Sequence, residues 1–161
     1  MHPMTKAASR ILVPLTACAL ALAATPAAAQ QGCTGRPSDT KLIVRVEGVR
    51  SSAGLMAVTL YANNPKKFLA RHGSLYVGRS SARQGVTETC IYVPQPGIYG
   101  IAVYHDADAN RKLNRNFLGM PQEGFGFSNN PNTFLGIPAF SAVRFAVRSS
   151  GQRISLRLRY P

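Results

Sequence analysis

Over most of its length the chain alternates apolar and polar residues with a period of two, the pattern of strands buried on one face. Leu42, Val44 and Val46 alternate with Ile43, Arg45 and Glu47 until Gly48, and Met56, Val58 and Leu60 alternate with Ala57, Thr59 and Tyr61. Val86 to Val93 is a β-branched run stopped by Pro94. Ile98 to His105 is almost continuously apolar, as expected of a strand at the centre of a sheet. Near the carboxyl end, Val143, Phe145 and Val147 face away from Arg144 and Arg148. After Ser149-Ser150-Gly151, Ile154, Leu156, Leu158 and Tyr160 alternate with Ser155, Arg157 and Arg159. This stretch reads as a hairpin with one apolar face and one face carrying four arginines. A short helix is expected over Pro65 to Ala70. Six or seven short strands between turn signals predict an all-β fold, an antiparallel β-sandwich of immunoglobulin-like or transthyretin-like type over residues 41–161.

The periodicity stops between Tyr104 and Phe140. A stretch of that length without regular alternation is uncommon in a compact domain and marks a functional loop. Five of the seven phenylalanines (Phe117, Phe125, Phe127, Phe134 and Phe140) lie in it or at its edge. They predict an ordered loop folded onto the end of the sandwich, with Gly119, Gly124 and Gly126 supplying the bends.

The amino terminus does not follow the strand pattern. Lys6 and Arg10 precede the apolar stretch Ile11 to Ala24, and Ala27-Ala28-Ala29 fits a small-residue cleavage site, so residues 1–29 read as an export signal. A membrane span is the competing reading, and Pro14 and Pro26 interrupt it. A second competitor is lipidation at Cys18, which follows Leu15-Thr16-Ala17. The expected location is the periplasm or the exterior, with a lipoprotein anchored at Cys18 as the alternative. Residues 30–40 read as a leader segment. Cleavage leaves Cys33 and Cys90, an even pair that predicts a disulfide in an oxidising compartment, against the alternative of two free thiols.

Charge narrows the partners. The chain has 19 Lys+Arg against 6 Asp+Glu, and without Lys6 and Arg10 the excess is still +11. Such a surface favours anionic partners, and export points to envelope lipid or polysaccharide rather than nucleic acid, for which no binding motif is present. Four arginines on one sheet face would repel unless anions sat between them. His72 sits in a basic stretch and reads as a solvated residue.

Within the loop, Asp106-x-Asp108-x-Asn110 followed by Asn114 has the spacing with which alternate oxygen side chains converge on calcium. Three departures weaken that pattern: Arg111 stands where a glycine makes the sharp turn, Asn114 replaces an acid, and Phe117 takes the place of the bidentate Glu. Arg111, Lys112 and Arg115 add positive charge. The competing reading is an Asx-rich turn whose side chains cap backbone amides, so no cofactor is expected and calcium at Asp106, Asp108, Asn110 and Asn114 is the alternative. Glu123 could supply a distant carboxylate.

Several stretches together resemble one family. Pro96-Gly97-Ile98-Tyr99, Tyr104-His105-Asp106, the series Asp108, Asn110, Lys112-Leu113-Asn114, and Gly119 through Asn130 are similar to the small exported bacterial proteins known as domain of unknown function 2141. The resemblance runs over roughly 41–160, and the family usually carries glycine where this chain has Arg111. It implies a periplasmic or secreted sandwich domain and supplies no catalytic residues. The expected function is a non-catalytic envelope binding or accessory module whose 105–130 loop presents His105, Asp106, Asp108, Asn110, Glu123, Phe125 and Phe127. The enzymatic alternative is a small hydrolase using His105 with Asp106 or Asp108, although no G-x-S-x-G elbow is present. A purely structural domain with a weak calcium-stabilised loop is the third reading.

Overall fold

The computed structural model describes residues 32–134 and 136–161. The expected export signal over 1–29, cleavage near Ala29 and lipidation at Cys18 lie outside the described residues. The described residues form eight strands: β1 (Thr40–Val49), β2 (Leu55–Ala62), β3 (Tyr76–Ser81), β4 (Gly85–Val93), β5 (Gly97–Asp106), β6 (Phe125–Phe127), β7 (Phe145–Val147) and β8 (Gln152–Arg157). One helical turn, α1 (Phe140–Val143), precedes β7. The strands make two sheets, β4-β1-β8 and β3-β2-β5-β6, with β7 also pairing β5. All pairs are antiparallel except β1 with β8. This is the all-β sandwich that the alternation predicts.

The inner faces carry the expected residues. Leu42, Val44 and Val46 from β1 meet Met56, Val58 and Leu60 from β2, and Ile91, Val93, Ile101, Val103 and Leu156 complete the core. Each fully buried aliphatic side chain removes apolar surface worth about 1.5–3 kcal/mol from water. The outer face of the three-stranded sheet is polar, and Glu88 and Glu47 there bridge to Arg45, Arg153 and Arg157. The five-stranded sheet is covered on both faces. Its outer side carries a second cluster of Phe127, Phe140 and Val143, packed with Phe68, Ala102 and Phe125.

Four expectations are corrected. The 143–160 stretch is not a hairpin, because β7 pairs with β5 in one sheet and β8 pairs with β1 in the other. The turn itself steers the chain across: the Lys41 N–H donates to Ser150 Oγ (3.0 Å) and the Gly151 N–H to Lys41 O (2.8 Å), bringing β8 onto the free edge of β1. Arg144 and Arg148 therefore do not share a sheet face with Arg157 and Arg159, and Arg157 is paired with Glu47. Pro65 to Ala70 is no helix but a string of tight turns, closed by hydrogen bonds of Lys67, Ala70 and Gly73 to carbonyls three residues earlier. Leu69 and His72 hold positive φ there, which helical propagation does not allow. Two of the five phenylalanines are not buried either: Phe117 and Phe134 are 95% and 89% exposed.

Cys33 and Cys90 are joined by a disulfide. Beside it, the Thr34 N–H donates to Cys90 O and the Tyr92 N–H to Thr34 O, both at 2.9 Å, so the segment before β1 lies along β4.

Candidate functional site

Strand β5 delivers the chain to the 105–130 loop, and strand alternation sends its last two side chains to opposite faces. His105 points into the sandwich and is 2% exposed. Its Nε2 lies 2.8 Å from Ala53 O, so this nitrogen carries the proton and Nδ1 accepts from the Tyr160 hydroxyl, also at 2.8 Å. The same hydroxyl accepts from the Arg50 N–H at 3.0 Å, and the Arg50 guanidinium lies 4.1 Å from the Tyr160 ring centroid. Gly124 is needed for space here, since a Cβ would sit 2.4 Å from the Tyr160 ring.

His105 is thus a satisfied structural histidine. A hydrolase would need a His nitrogen shared with a carboxylate and facing a nucleophile, and neither Asp106 nor Asp108 bonds this ring. Tyr160→Phe should lower stability by about 1–2 kcal/mol, because a buried nitrogen loses its donor. Urea unfolding that matches wild type would refute that role for the hydroxyl.

Asp106 points to the other face and is completely buried. The Arg111 N–H donates to its Oδ2 at 2.8 Å, with Arg111 itself at φ +65°. The loop then closes on its own side chains. Asp108 accepts from the Asn110 N–H (3.2 Å) and from the Nδ2 groups of Asn110 and Asn114 (2.8 and 2.9 Å), and Asn110 Oδ1 accepts from the Lys112 N–H (2.7 Å). The Asn114 amide, assisted by the Asn110 backbone, holds the exposed Asp108 carboxyl below the usual carboxylate range despite partial desolvation. These are the expected Asx turns.

Glu123 joins this turn from the far end of the loop. It is buried, and its two oxygens accept from the Ala107 N–H (3.0 Å) and the Asn114 N–H (2.9 Å). One oxygen each from Asp106, Asp108 and Glu123 falls within a 4.8 Å span. Burial, reinforced by the nearby Asp106 and Glu123 carboxylates, pushes the Tyr104 hydroxyl above its ordinary value, while the neighbouring Arg79 guanidinium pulls the other way.

Phe125 and Phe127 do not gather with these acids. They lie on β6, beside the middle of β5, and line an apolar groove of about 390 Å³ on the outer face of the five-stranded sheet. Tyr61 and Tyr104 contribute to its sheet side, the loop contributes Leu113 and Met120, and Leu69 and Ile137 come from elsewhere in the chain. Arg115 also borders it. The 105–130 stretch therefore divides into an acidic turn and an apolar wall, with His105 in neither. Sequence reasoning missed Leu69, Arg79, Ile137 and Tyr160. Only the alternation that buries one face of 154–160 hinted at Tyr160, and nothing local marked the rest.

A family model described as an uncharacterised protein conserved in bacteria (DUF2141) matches residues 44–155. No curated protein and no solved structure matches the chain.

Proposed function

The chain belongs to the DUF2141 family of bacterial proteins, and from that starting point we propose that it is a non-catalytic binding module of the cell envelope. Its ligand in this reading is an anionic lipid, whose acyl chain enters the groove on the outer face of the five-stranded sheet. The observation that carries the reading is the groove itself. Its volume of about 390 Å³ falls within the usual 300–1,000 Å³ range of ligand pockets, and its walls are mostly apolar. Phe117, Leu118, Met120, Phe134 and Ile137 stand exposed on the loop and on the 133–137 segment. Two of them, Met120 and Ile137, border the groove, and exposed apolar side chains at the rim of an apolar groove mark an interaction surface. The strong positive charge and Arg115 beside the groove select an acidic headgroup over a neutral one.

The test is co-sedimentation of the purified protein with phosphatidylglycerol vesicles and with phosphatidylcholine vesicles. Binding to the anionic vesicles should be the stronger and should weaken as salt rises. Met120→Asp places a charge in the groove wall and should reduce that binding by about tenfold or more. Equal binding to both vesicle types, or undiminished binding by Met120→Asp, would overturn the proposal.

A further inference from the structure

Asp106 presents a problem that its hydrogen bonds do not solve. It is 0% exposed, and its Oδ1 makes no hydrogen bond among the described residues. A buried carboxylate oxygen without a donor is rare, because desolvating it without compensation is strongly unfavourable. The neighbouring acids make matters worse: Asp106, Asp108 and Glu123 bring acid oxygens within 4.8 Å of one another, and like charges at that spacing repel. The same carboxylates are held in place by backbone amides, from Arg111 on Asp106, Asn110 on Asp108, and Ala107 and Asn114 on Glu123. They are oriented and close together, and none of the three forms an ion pair among the described residues, the Arg79 guanidinium nearby being directed at Arg111 O instead.

We infer that Asp106, Asp108 and Glu123 form a calcium site, with Asp106 Oδ1 as its buried ligand. Asn110 and Asn114 turn their Nδ2 groups to Asp108, while Asn114 Oδ1 accepts from Asn110 Nδ2 and Asn110 Oδ1 from the Lys112 N–H, so the two amides would have to rotate to add oxygens to the cluster. An all-oxygen set with three acids is the chemistry of a hard cation. Calcium accommodates the six to eight oxygens of an irregular loop, whereas magnesium demands a near-ideal octahedron.

The backbone of the turn has a shape compatible with such a site, which the orphaned Asp106 Oδ1 carries. In a twelve-residue calcium loop the sixth residue makes a sharp turn and is ordinarily glycine. Counting Asp106 as the first, the sixth is Arg111, which adopts φ +65° and donates its N–H to the first residue's carboxylate. Few non-glycine residues take that conformation. The twelfth position, Phe117, is fully outside the site, and Glu123 supplies the closing carboxylate from further along the chain. The inference does not rest on the lipid-binding reading, since the acid cluster and the groove share none of these ligands.

Calcium titrated by calorimetry into the chelator-treated full chain tests the site, with thermal unfolding followed in parallel. The expected result is one ion per chain with a Kd of about 10⁻⁴–10⁻³ M or tighter, and a melting temperature that rises with calcium. Glu123→Gln should weaken binding about tenfold or more. Asp108 is exposed, so Asp108→Asn keeps the fold and should show the same loss even if the Glu123 variant does not fold. No heat and no melting shift at about 10 mM calcium, well above the range of extracellular sites, would overturn the inference. So would unaltered affinity in Asp108→Asn, and an equal response to magnesium would overturn the assignment to calcium.

Discussion

Replacing Cys33 and Cys90 with alanine should lower the free energy of unfolding by about 4 kcal/mol, among the largest losses expected for any change in this chain. The bridge closes a loop with a sequence separation of 57 residues, and closing so long a loop removes much of the conformational freedom of the unfolded chain. The folded state adds a local reason. Without the bridge, the segment at 32–39 holds to β4 through Thr34 and Ser38, whose hydroxyl donates to Val93 O at 2.6 Å, and little else fixes it. The loss should therefore appear in two steps of experiment. Urea unfolding with and without reductant should give midpoints that differ in the wild type and coincide in the double variant. A wild-type midpoint that ignores reductant would refute the stabilising role of the bridge.

Gly54→Ala should rival it, lowering stability by about 3 kcal/mol or more. Gly54 holds φ +69°, where an L-residue with a Cβ is disfavoured by about 1–2 kcal/mol. The added carbon would also sit 2.0 Å from Asp106 O and 2.7 Å from the Ala107 carbonyl carbon. Both are backbone atoms, so relief requires the start of the 105–130 loop to move, and overpacking of that kind adds about 1–3 kcal/mol. Gly85→Ala separates the two contributions. Gly85 has φ +82° with open space where the Cβ would stand, so it should lose only the conformational part, about 1–2 kcal/mol. Chemical denaturation of both variants makes the comparison, and equal losses would show that the close approach at Gly54 contributes nothing. The displacement should also move Asp106, so Gly54→Ala is expected to weaken calcium binding while Gly85→Ala leaves it unchanged.

The alternation of Leu42, Val44 and Val46, of Met56, Val58 and Leu60, and of Ile154, Leu156 and Leu158 told which face of each strand is buried. That information is local, because successive strand side chains point to opposite sides whatever the strand pairs with. The same rule placed His105 and Asp106 on opposite faces, and the short spacing of Asp106, Asp108 and Asn110 announced a turn built from their side chains. The pair of cysteines that remains once the expected export signal is set aside pointed to the bridge. Three elements were read wrongly for one reason, which is that pairing and covering depend on what the rest of the chain leaves open. Strands β7 and β8 looked like a hairpin, yet the free edges that took them belonged to β5 and β1 in different sheets. Phe117 and Phe134 look like anchors, yet the aromatic cluster on the outer face of the five-stranded sheet is built from Phe68, Phe125, Phe127 and Phe140 and leaves both outside it. Pro65 to Ala70 looked helical, yet Asn64 Oδ1 accepts from the Lys66 N–H and starts a turn instead.

By itself, then, the sequence determined six of the eight strands described, all but β3 and β6, together with their core faces, the family and the acidic turn, all of which are written in short-range spacing. Only the tertiary structure decided that Glu123 joins Asp106, that Tyr160 occupies His105, and that Leu69, Met120 and Ile137 wall one groove. Those residues lie far apart in the chain, and what unites them is the way two sheets and a long loop close around the ends of β5. Burial there strips Asp106 and Glu123 of water and leaves Asp106 Oδ1 without a donor, which no spacing along the chain could have announced.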